Sequence, residues 1–182
     1  MKTIPMAAAA ALLTILACYS ATTHAEPADE GAKKHPTTTM TRTEYKLGNL
    51  VIRQPWARAT PKGAPVAGGY VTIVNSGKIA DRLVGGTFAG AGMVQVHEMS
   101  VINGVMKMRH LDRGLEIKPG ATVILKPGSY HLMFMKLESG VAPGKQIKGS
   151  LVFEKAGRVD VEFAVGPIGS KNPPGAMQHH KH

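Results

Sequence analysis

The chain of 182 residues is basic, poor in aromatic side chains and contains a single cysteine. Lys and Arg outnumber Asp and Glu by 22 to 12, giving a formal net charge of +10, and aromatic residues make up 5% of the sequence. The basic residues are scattered along the chain and few rings are available for base stacking, so the composition argues against a nucleic-acid-binding protein. The positive charge serves solubility, or it steers the protein toward an acidic partner or an anionic membrane surface.

The N-terminal sequence has the features of a secretory signal peptide. A lysine precedes an apolar run over Ile4–Ala17, which is too short to span a membrane, and Thr23–Ala25 fits a cleavage site. We therefore expect export to the periplasm with removal of residues 1–25. The stretch "ILAC" also resembles a lipobox, in which Cys18 would become a lipidated N-terminus and provide the only membrane contact. Either way the mature chain has no free thiol for a disulfide or a thiolate metal ligand.

The rest of the chain divides into one β-rich domain and two polar extensions. Residues 26–42 are polar and aperiodic, which predicts a flexible linker, and residues 167–182 form a second flexible extension. Between them, over residues 43–166, short β-branched runs alternate with Gly, Pro and Asn turns, as in an antiparallel sandwich or barrel. The predicted strands lie in LVIRQPWARA, GGYVTIVNSG, RLVGGTF, GMVQVHEMS, GVMKMRHL, LEIKPG, ATVILKPG, YHLMFMKL, IKGSLVFEKAG and RVDVEFAVG.

Alternation is clearest in the last two of these segments. Apolar side chains fall on one face of the predicted hairpin and charged ones on the other, which is typical of a half-buried pair of strands. The predicted inner face consists of Ile147, Leu151, Phe153, Val159, Val161 and Phe163.

A second hairpin is predicted around Asn103-Gly104, a dipeptide that favours a type I′ turn because both central residues need a positive φ. Counting outward from this turn pairs Ile102 with Val105 and fixes the register of the whole hairpin. The remaining predicted pairs on one face are Val101 with Met106, Met99 with Met108, and His97 with His110. The thioether and imidazole side chains of the hairpin therefore point the same way.

The segment "YHLMFMKL" combines the same residue types on a single predicted strand. Tyr130, Leu132 and Phe134 share the face expected to enter the core. The opposite face carries the histidine and the two methionines, at His131, Met133 and Met135. If this strand lies near the Asn-Gly hairpin, histidine and methionine side chains converge on one site.

Mixed ligation by histidine and methionine favours copper. Thioethers bind Cu(I) well and bind Zn(II), Mg(II) or Ca(II) poorly, whereas imidazole accepts both copper oxidation states. Taken singly, any of the methionines is explained by core packing, His97 or His131 by ordinary hydrogen bonding, and His110 as a bystander. Their arrangement on shared faces is what favours a metal site.

These residues also carry a family resemblance. Ten residues separate His97 from Met108, a further 22 lead to His131, and Met133 follows at the next position but one. This spacing, together with "WARAT", "GGYVTIVN", "ADRLVG" and "KPGSYHLMFM", resembles the PCuAC family of periplasmic copper chaperones over residues 50–165. The resemblance implies a cupredoxin-like Greek-key β-barrel and one Cu(I) bound by His97, Met108, His131 and Met133. It also implies copper delivery during assembly of cytochrome c oxidase, to an oxidase subunit or to another chaperone such as a Sco-like protein.

The C-terminal sequence "MQHHKH" suggests a second copper site. Met177, His179, His180 and His182 lie close together in a segment with no imposed geometry, and clustered imidazoles suit Cu(II). The alternative is a merely hydrophilic terminus. Some PCuAC-like proteins have similar tails.

The sequence thus predicts a monomeric, exported copper-binding protein rather than an enzyme. No nucleophile-base pair or coupled carboxylates stand out, and a site filled by two histidines and two methionines leaves no open position for substrate chemistry. A blue-copper electron carrier is disfavoured because it needs a cysteine ligand. The alternative from another class is an exported β-sandwich that binds a protein or surface ligand, with its methionines packed in the core.

Overall fold

The computed structural model describes residues 43–175, and every regular element within this range is a β-strand. The strands are β1 Glu44–Leu47, β2 Leu50–Arg58, β3 Val66–Asn75, β4 Asp81–Phe88, β5 Ala91–Ile102, β6 Val105–His110, β7 Leu115–Ile117, β8 Thr122–Leu125, β9 His131–Leu137, β10 Gln146–Phe153 and β11 Gly157–Gly166. No helix capable of crossing a membrane occurs in this part of the chain. The predictions for residues 1–42 and for the histidines after Gly175 lie outside the described residues.

The strands form one sheet in the order β6-β5-β9-β3-β2-β11-β10-β4-β7, with β1 paired to β2 and β8 paired to β3. All pairs are antiparallel except β2 with β11, which run parallel. Each segment predicted from the sequence contains one of these strands, and β1 is the additional one. The all-β, cupredoxin-like architecture predicted from the sequence is confirmed.

Hydrophobic alternation places the core where the sequence predicted it. In the β10–β11 hairpin, Ile147 pairs with Phe163 and Leu151 pairs with Val159, so the apolar side chains share the inner face. Leu151 and Phe163 are fully buried, while the charged side chains at Lys148 and Glu162 are exposed. The prediction for this hairpin is confirmed.

Three phenylalanine rings join strands that are distant in the sequence. Phe134 of β9 stacks on Phe88 of β4 with ring centroids 3.9 Å apart, and it meets the edge of Phe163 of β11 at 5.3 Å. Phe88 and Phe163 are themselves 5.5 Å apart. Aromatic pairs at such separations add to the stabilisation from burial alone. Strand β9 is thereby held firmly on its inner side, which matters because its outer side carries His131.

The predicted C-terminal extension begins with a segment that contacts the barrel. The Arg58 guanidinium donates hydrogen bonds from Nε and Nη2 to the Ser170 carbonyl oxygen, at 2.9 and 2.7 Å. Pro174 lies close to Gly166, where an added Cβ would be 3.6 Å from the proline Cδ. Residues 167–175 therefore lie on the barrel surface next to the end of β2.

Candidate metal centre

The β5–β6 hairpin has the register predicted from its turn. Asn103 and Gly104 have φ angles of 53° and 77°, as a type I′ turn requires. The pairs Ile102 with Val105, Val101 with Met106, Met99 with Met108 and His97 with His110 all occur as predicted. On the opposite face, Arg109 forms an ion pair with Glu98 at 2.7 Å. The hairpin prediction is confirmed in full.

Strand β9 lies directly beside β5, so the two histidine- and methionine-bearing segments meet. His97 pairs with His131, and Gln95 pairs with Met133. His110, His97 and His131 therefore form one row across β6, β5 and β9. The ring centroids of His97 and His131 are 5.7 Å apart. Two imidazoles that bind one metal at about 2.0 Å have centroids roughly 5 to 6 Å apart, so this separation suits a shared ion.

The two methionines of the predicted ligand set are diagonal neighbours of His97. Met108 lies on β6 two residues before His110, and Met133 lies on β9 two residues after His131, so they flank His97 in opposite directions along the strands. Diagonal positions in an antiparallel sheet are about 7 to 8 Å apart, within reach of a long side chain. All four predicted ligands thus lie on one face around His97.

Hydrogen bonds orient the two imidazoles. Nδ1 of His131 is 3.0 Å from the Ser129 carbonyl oxygen, so this nitrogen carries the proton and Nε2 keeps its lone pair. Nε2 of His97 is 2.9 Å from Oε1 of Gln95, while His97 Nδ1 is buried without a hydrogen-bond partner among the described residues. A buried acceptor left without a partner costs about 1 to 3 kcal/mol. A bound cation would remove that cost, so the site fits a metal.

The electrostatic surroundings keep His97 neutral. Burial lowers the pKa of His97, and the neighbouring imidazoles of His131 and His110 lower it further. A neutral imidazole is the form that binds a metal. The side chain is therefore ready to act as a ligand at neutral pH.

The site is buried on one side and exposed on the other. His131 is 4% exposed and Met133 is half-buried, whereas Met108 is 47% exposed and every residue of β6 is exposed. No three His, Cys, Asp or Glu side chains within residues 43–175 are placed to hold a metal by themselves. The other potential ligands on this face include the thioether sulfurs of Met108 and Met133, which favour a soft ion.

Other methionines surround this row without belonging to the predicted ligand set. Met99 is half-buried beside Met108, and Met106 is 65% exposed near the hairpin turn. Met135 pairs with Met93, a residue that the sequence interpretation did not single out. Counting back from His97 in steps of two along β5 would have placed Met93 and Gln95 on the same face.

Structural comparison identifies the type of domain. The copper-bound PCuAC domain from PmoF2 is 32% identical to this chain, with a TM-score of 0.59, and the match covers 69% of this chain and 98% of that domain. The apo PmoF2 PCuAC domain is 31% identical with a TM-score of 0.60, covering 71% of this chain and 98% of that domain. The β-domain is thus of the PCuAC type, and the resemblance predicted from the sequence is confirmed.

Sequence comparison gives the family. Residues 50–165 match the family described as "Putative lipoprotein LpqE-like". A protein of Leifsonia xyli subsp. xyli described as a putative lipoprotein is 30% identical over 121 residues, which covers 66% of this chain and 72% of that protein. The chain belongs to the LpqE-like family.

Proposed function

We propose that the protein is an exported copper chaperone that carries one Cu(I) ion bound by His97, Met108, His131 and Met133. The observation that carries the proposal is the 5.7 Å separation of the His97 and His131 rings, with a methionine diagonal to His97 on each side. The copper-bound state of the 32%-identical PmoF2 domain supports copper as the metal. Two thioethers favour Cu(I) over Cu(II) and exclude most competing divalent ions.

A chaperone has to release its ion as well as hold it, and the distribution of burial suits that task. His131 and Met133 stand on the strand anchored by the phenylalanine cluster, while Met108 stands on the exposed edge strand β6. A partner protein can approach Met108 without unfolding the barrel. We propose that a partner reaches the ion from the side of the site on which Met108 lies.

Competition titration tests the ligand set. Wild-type protein should bind one Cu(I) per chain under reducing conditions, in the presence of a chromogenic chelator. The Met108→Leu, Met133→Leu double variant should bind at least about 100-fold more weakly, since even the loss of a residue that supports a ligand weakens metal affinity 10- to 100-fold. Its fold should survive, because replacing methionine by leucine costs less than about 1.5 kcal/mol at each of the two positions.

The matched control is Met106→Leu, the same exchange at an exposed position two residues from Met108. Its affinity should equal that of the wild type. X-ray absorption on the Cu(I) form should report both sulfur and nitrogen ligands. Equal affinity of the double variant and the wild type would exclude this ligand set, and a first shell of nitrogen alone would exclude both methionines.

Delivery of Cu(I) to cytochrome c oxidase, either to a copper-binding subunit or through a Sco-like chaperone, is the finer part of the proposal and rests on the PCuAC resemblance. The test mixes Cu(I)-loaded protein with the apo form of each candidate and separates the two by ion exchange. Copper should move to one of the acceptors faster than it moves to a non-cognate apo copper protein. Equal rates for all three would contradict this destination.

We further propose that Met177, His179, His180 and His182 form a Cu(II) site. The supporting argument is the chemistry of clustered imidazoles, which suits the harder oxidation state. Because Arg58 hydrogen-bonds to Ser170, the truncated variant keeps residues 167–175. Truncation after Gly175 should abolish most of the Cu(II) signal in electron paramagnetic resonance and leave Cu(I) affinity unchanged. An unchanged Cu(II) signal would contradict the tail site.

The proposed location is the periplasm, in soluble or lipid-anchored form. The signal-like sequence before residue 26 and the description of the family as lipoproteins both support export. Mass spectrometry of the mature N-terminus distinguishes cleavage after Ala25 from acylation at Cys18. Recovery of the full-length chain in the cytosol of the native host would contradict export.

A further inference from the structure

His110 lies beside the proposed copper ligands but is not one of them. It is the last residue of β6 and pairs with His97 of β5, and the two ring centroids are 5.5 Å apart. The Leu111 amide donates a hydrogen bond to the Val96 carbonyl oxygen at 2.9 Å. His97 and His110, which lie next to these residues, therefore form a non-hydrogen-bonded pair of the antiparallel ladder. Side chains approach most closely at such pairs.

The ring separation of His97 and His110 is close to that of the proposed ligand pair, His97 and His131. His97 lies 5.5 Å from His110 on one side and 5.7 Å from His131 on the other, and both values suit two imidazoles that share a metal. The three rings do not converge on a single point, since no three such side chains among the described residues can hold one ion together. His97 is therefore common to two alternative pairs, an inner pair with His131 and an outer pair with His110.

The orientation of His110 leaves it able to bind a metal. Its Nδ1 is 2.9 Å from Oδ1 of Asp112, so Nδ1–H donates to the carboxylate and Nε2 retains its lone pair. The His110 side chain is 38% exposed. Met108 lies two residues away on the same face and can supply a thioether to the outer pair. The outer pair thus combines soft and imidazole donors at the solvent-facing edge of the site.

We propose that His110 is a transfer ligand for copper. This inference rests on the proposed function. Cu(I) enters and leaves through the outer pair. On release, a bond from copper to Nε2 of His110 forms as the bonds to His131 and Met133 on β9 break, while His97 and Met108 remain bound, and uptake follows the reverse sequence. The exchange replaces one imidazole nitrogen by another, so no electron is transferred and the copper keeps its oxidation state. Asp112 is a positioning residue that directs Nε2 of His110 toward the ion.

A transfer ligand changes rates without changing affinity. Because His110 is unbound when the ion rests in the inner pair, its removal raises the barrier for entry and exit equally and leaves the equilibrium constant untouched. We expect His110→Gln to slow Cu(I) uptake and Cu(I) removal by excess chelator by about tenfold each, which corresponds to about 1.4 kcal/mol in each barrier. The dissociation constant should remain within about twofold of the wild type.

The test is stopped-flow transfer of Cu(I) between the protein and a chromogenic chelator, in both directions, with the full chain. The matched control is Lys107→Gln on the same strand, whose side chain points to the other face and which should exchange copper at the wild-type rate. Asp112→Asn keeps the shape of the positioning residue and should slow exchange less than His110→Gln. A second background carries His179, His180 and His182 replaced by Gln, so that the tail cannot substitute for His110.

Each outcome has a defined meaning. Slower exchange at unchanged affinity, in His110→Gln and not in Lys107→Gln, supports the transfer role. Wild-type exchange rates in His110→Gln make the residue a bystander and overturn the proposal. A loss of affinity as large as that of the Met108→Leu, Met133→Leu variant makes His110 a permanent ligand and also overturns it. Failure of the wild type to bind Cu(I) would instead refute the proposed function itself.

Discussion

Two adjacent glycines in β3 offer a sharp test of how the site strand β9 is supported. Gly68 and Gly69 lie on opposite faces of the strand, and each would bring an added Cβ within 2.6 Å of a neighbouring atom. At Gly69 that atom is Cε2 of Phe134, and the ring atom Cζ is closer still. At Gly68 it is the hydroxyl oxygen of Tyr70. The same substitution, glycine to alanine, therefore meets a ring body on one face and the end of a side chain on the other.

The expected difference in unfolding free energy between the two variants depends on how easily the neighbouring side chain can move. Phe134 is fully buried, stacked on Phe88 at 3.9 Å and set against Phe163 at 5.3 Å, so its ring cannot retreat without disturbing both neighbours. Overpacking of this kind costs about 1 to 3 kcal/mol. Tyr70 is also buried and packs against Trp56 at 4.4 Å, but the atom met there is the end of its side chain rather than the body of a ring. Alanine in a strand also regains roughly 0.5 to 1 kcal/mol relative to glycine. We expect Gly69→Ala to lower the free energy of unfolding by about 1 to 3 kcal/mol and Gly68→Ala to lower it by less.

The assay is urea unfolding of the metal-free protein, supported by thermal melts. For a domain of this size, 2 kcal/mol corresponds to a fall in Tm of roughly 6 to 10 °C. The slope of the urea transition should not change, since the compactness of the folded state is preserved. A Gly69→Ala variant as stable as the wild type would mean that the Phe88, Phe134 and Phe163 cluster can repack freely, and the claim that β9 is rigidly anchored would be wrong.

Two further predictions concern carboxylate and imidazole groups. Asp81 is buried, and its carboxylate accepts backbone hydrogen bonds from Arg82, Lys155 and Ala156 at 2.7 to 2.9 Å. Burial alone would raise the pKa of Asp81, but these hydrogen bonds outweigh burial and lower the pKa. Asp81→Asn should therefore reduce the free energy of unfolding at pH 7 by about 1 to 3 kcal/mol. The extra stability of the wild type is present above the unfolded-state pKa of about 3.9 and is lost as the pH falls through the lower folded-state pKa. In urea unfolding, the free energies of the two proteins should therefore approach each other in acid. A constant difference at every pH would contradict the stabilising role of the Asp81 carboxylate. Protons compete with copper for the imidazole nitrogens, and because the pKa of His97 is lowered, this competition should begin at a pH below about 6.5. Cu(I) affinity, measured by chelator titration, should be constant between about pH 8 and 7 and should fall in acid. An affinity unchanged down to about pH 4 would exclude histidine ligation.

The features that could be predicted from the sequence are those set by neighbours in the chain. The Asn103-Gly104 turn fixes a register by its own φ angles, and alternation assigns each side chain of β5 and β6 to a face. Neither inference needs any knowledge of the rest of the fold. For the same reason the β10–β11 hairpin and the positions of the strands were predictable.

The features that could not be predicted depend on how strands distant in the sequence pair and pack with one another. Nothing in the segment around His131 specifies that it pairs with the segment around His97, because β-strand pairing depends on packing over the whole barrel. The contact of Gly69 with Phe134 and the hydrogen bonds from Arg58 to Ser170 are of the same kind. From the sequence, the approach of the two histidine segments is therefore only a condition, and the pairing of β5 with β9 in the folded chain meets it.

The placement of the proposed site at the outer end of the sheet order would allow one domain both to hold and to release an ion. Strands toward the middle of the order are paired on both sides, whereas within residues 43–175 β6 pairs only with β5 and is exposed along its whole length. A ligand on β9 is held by the core, which favours tight binding through preorganisation. A ligand on β6 is held by one neighbouring strand, so its displacement requires a local motion of the hairpin rather than global unfolding. Tight retention and fast transfer make opposite demands on rigidity, and dividing the ligands between a buried strand and an edge strand satisfies both.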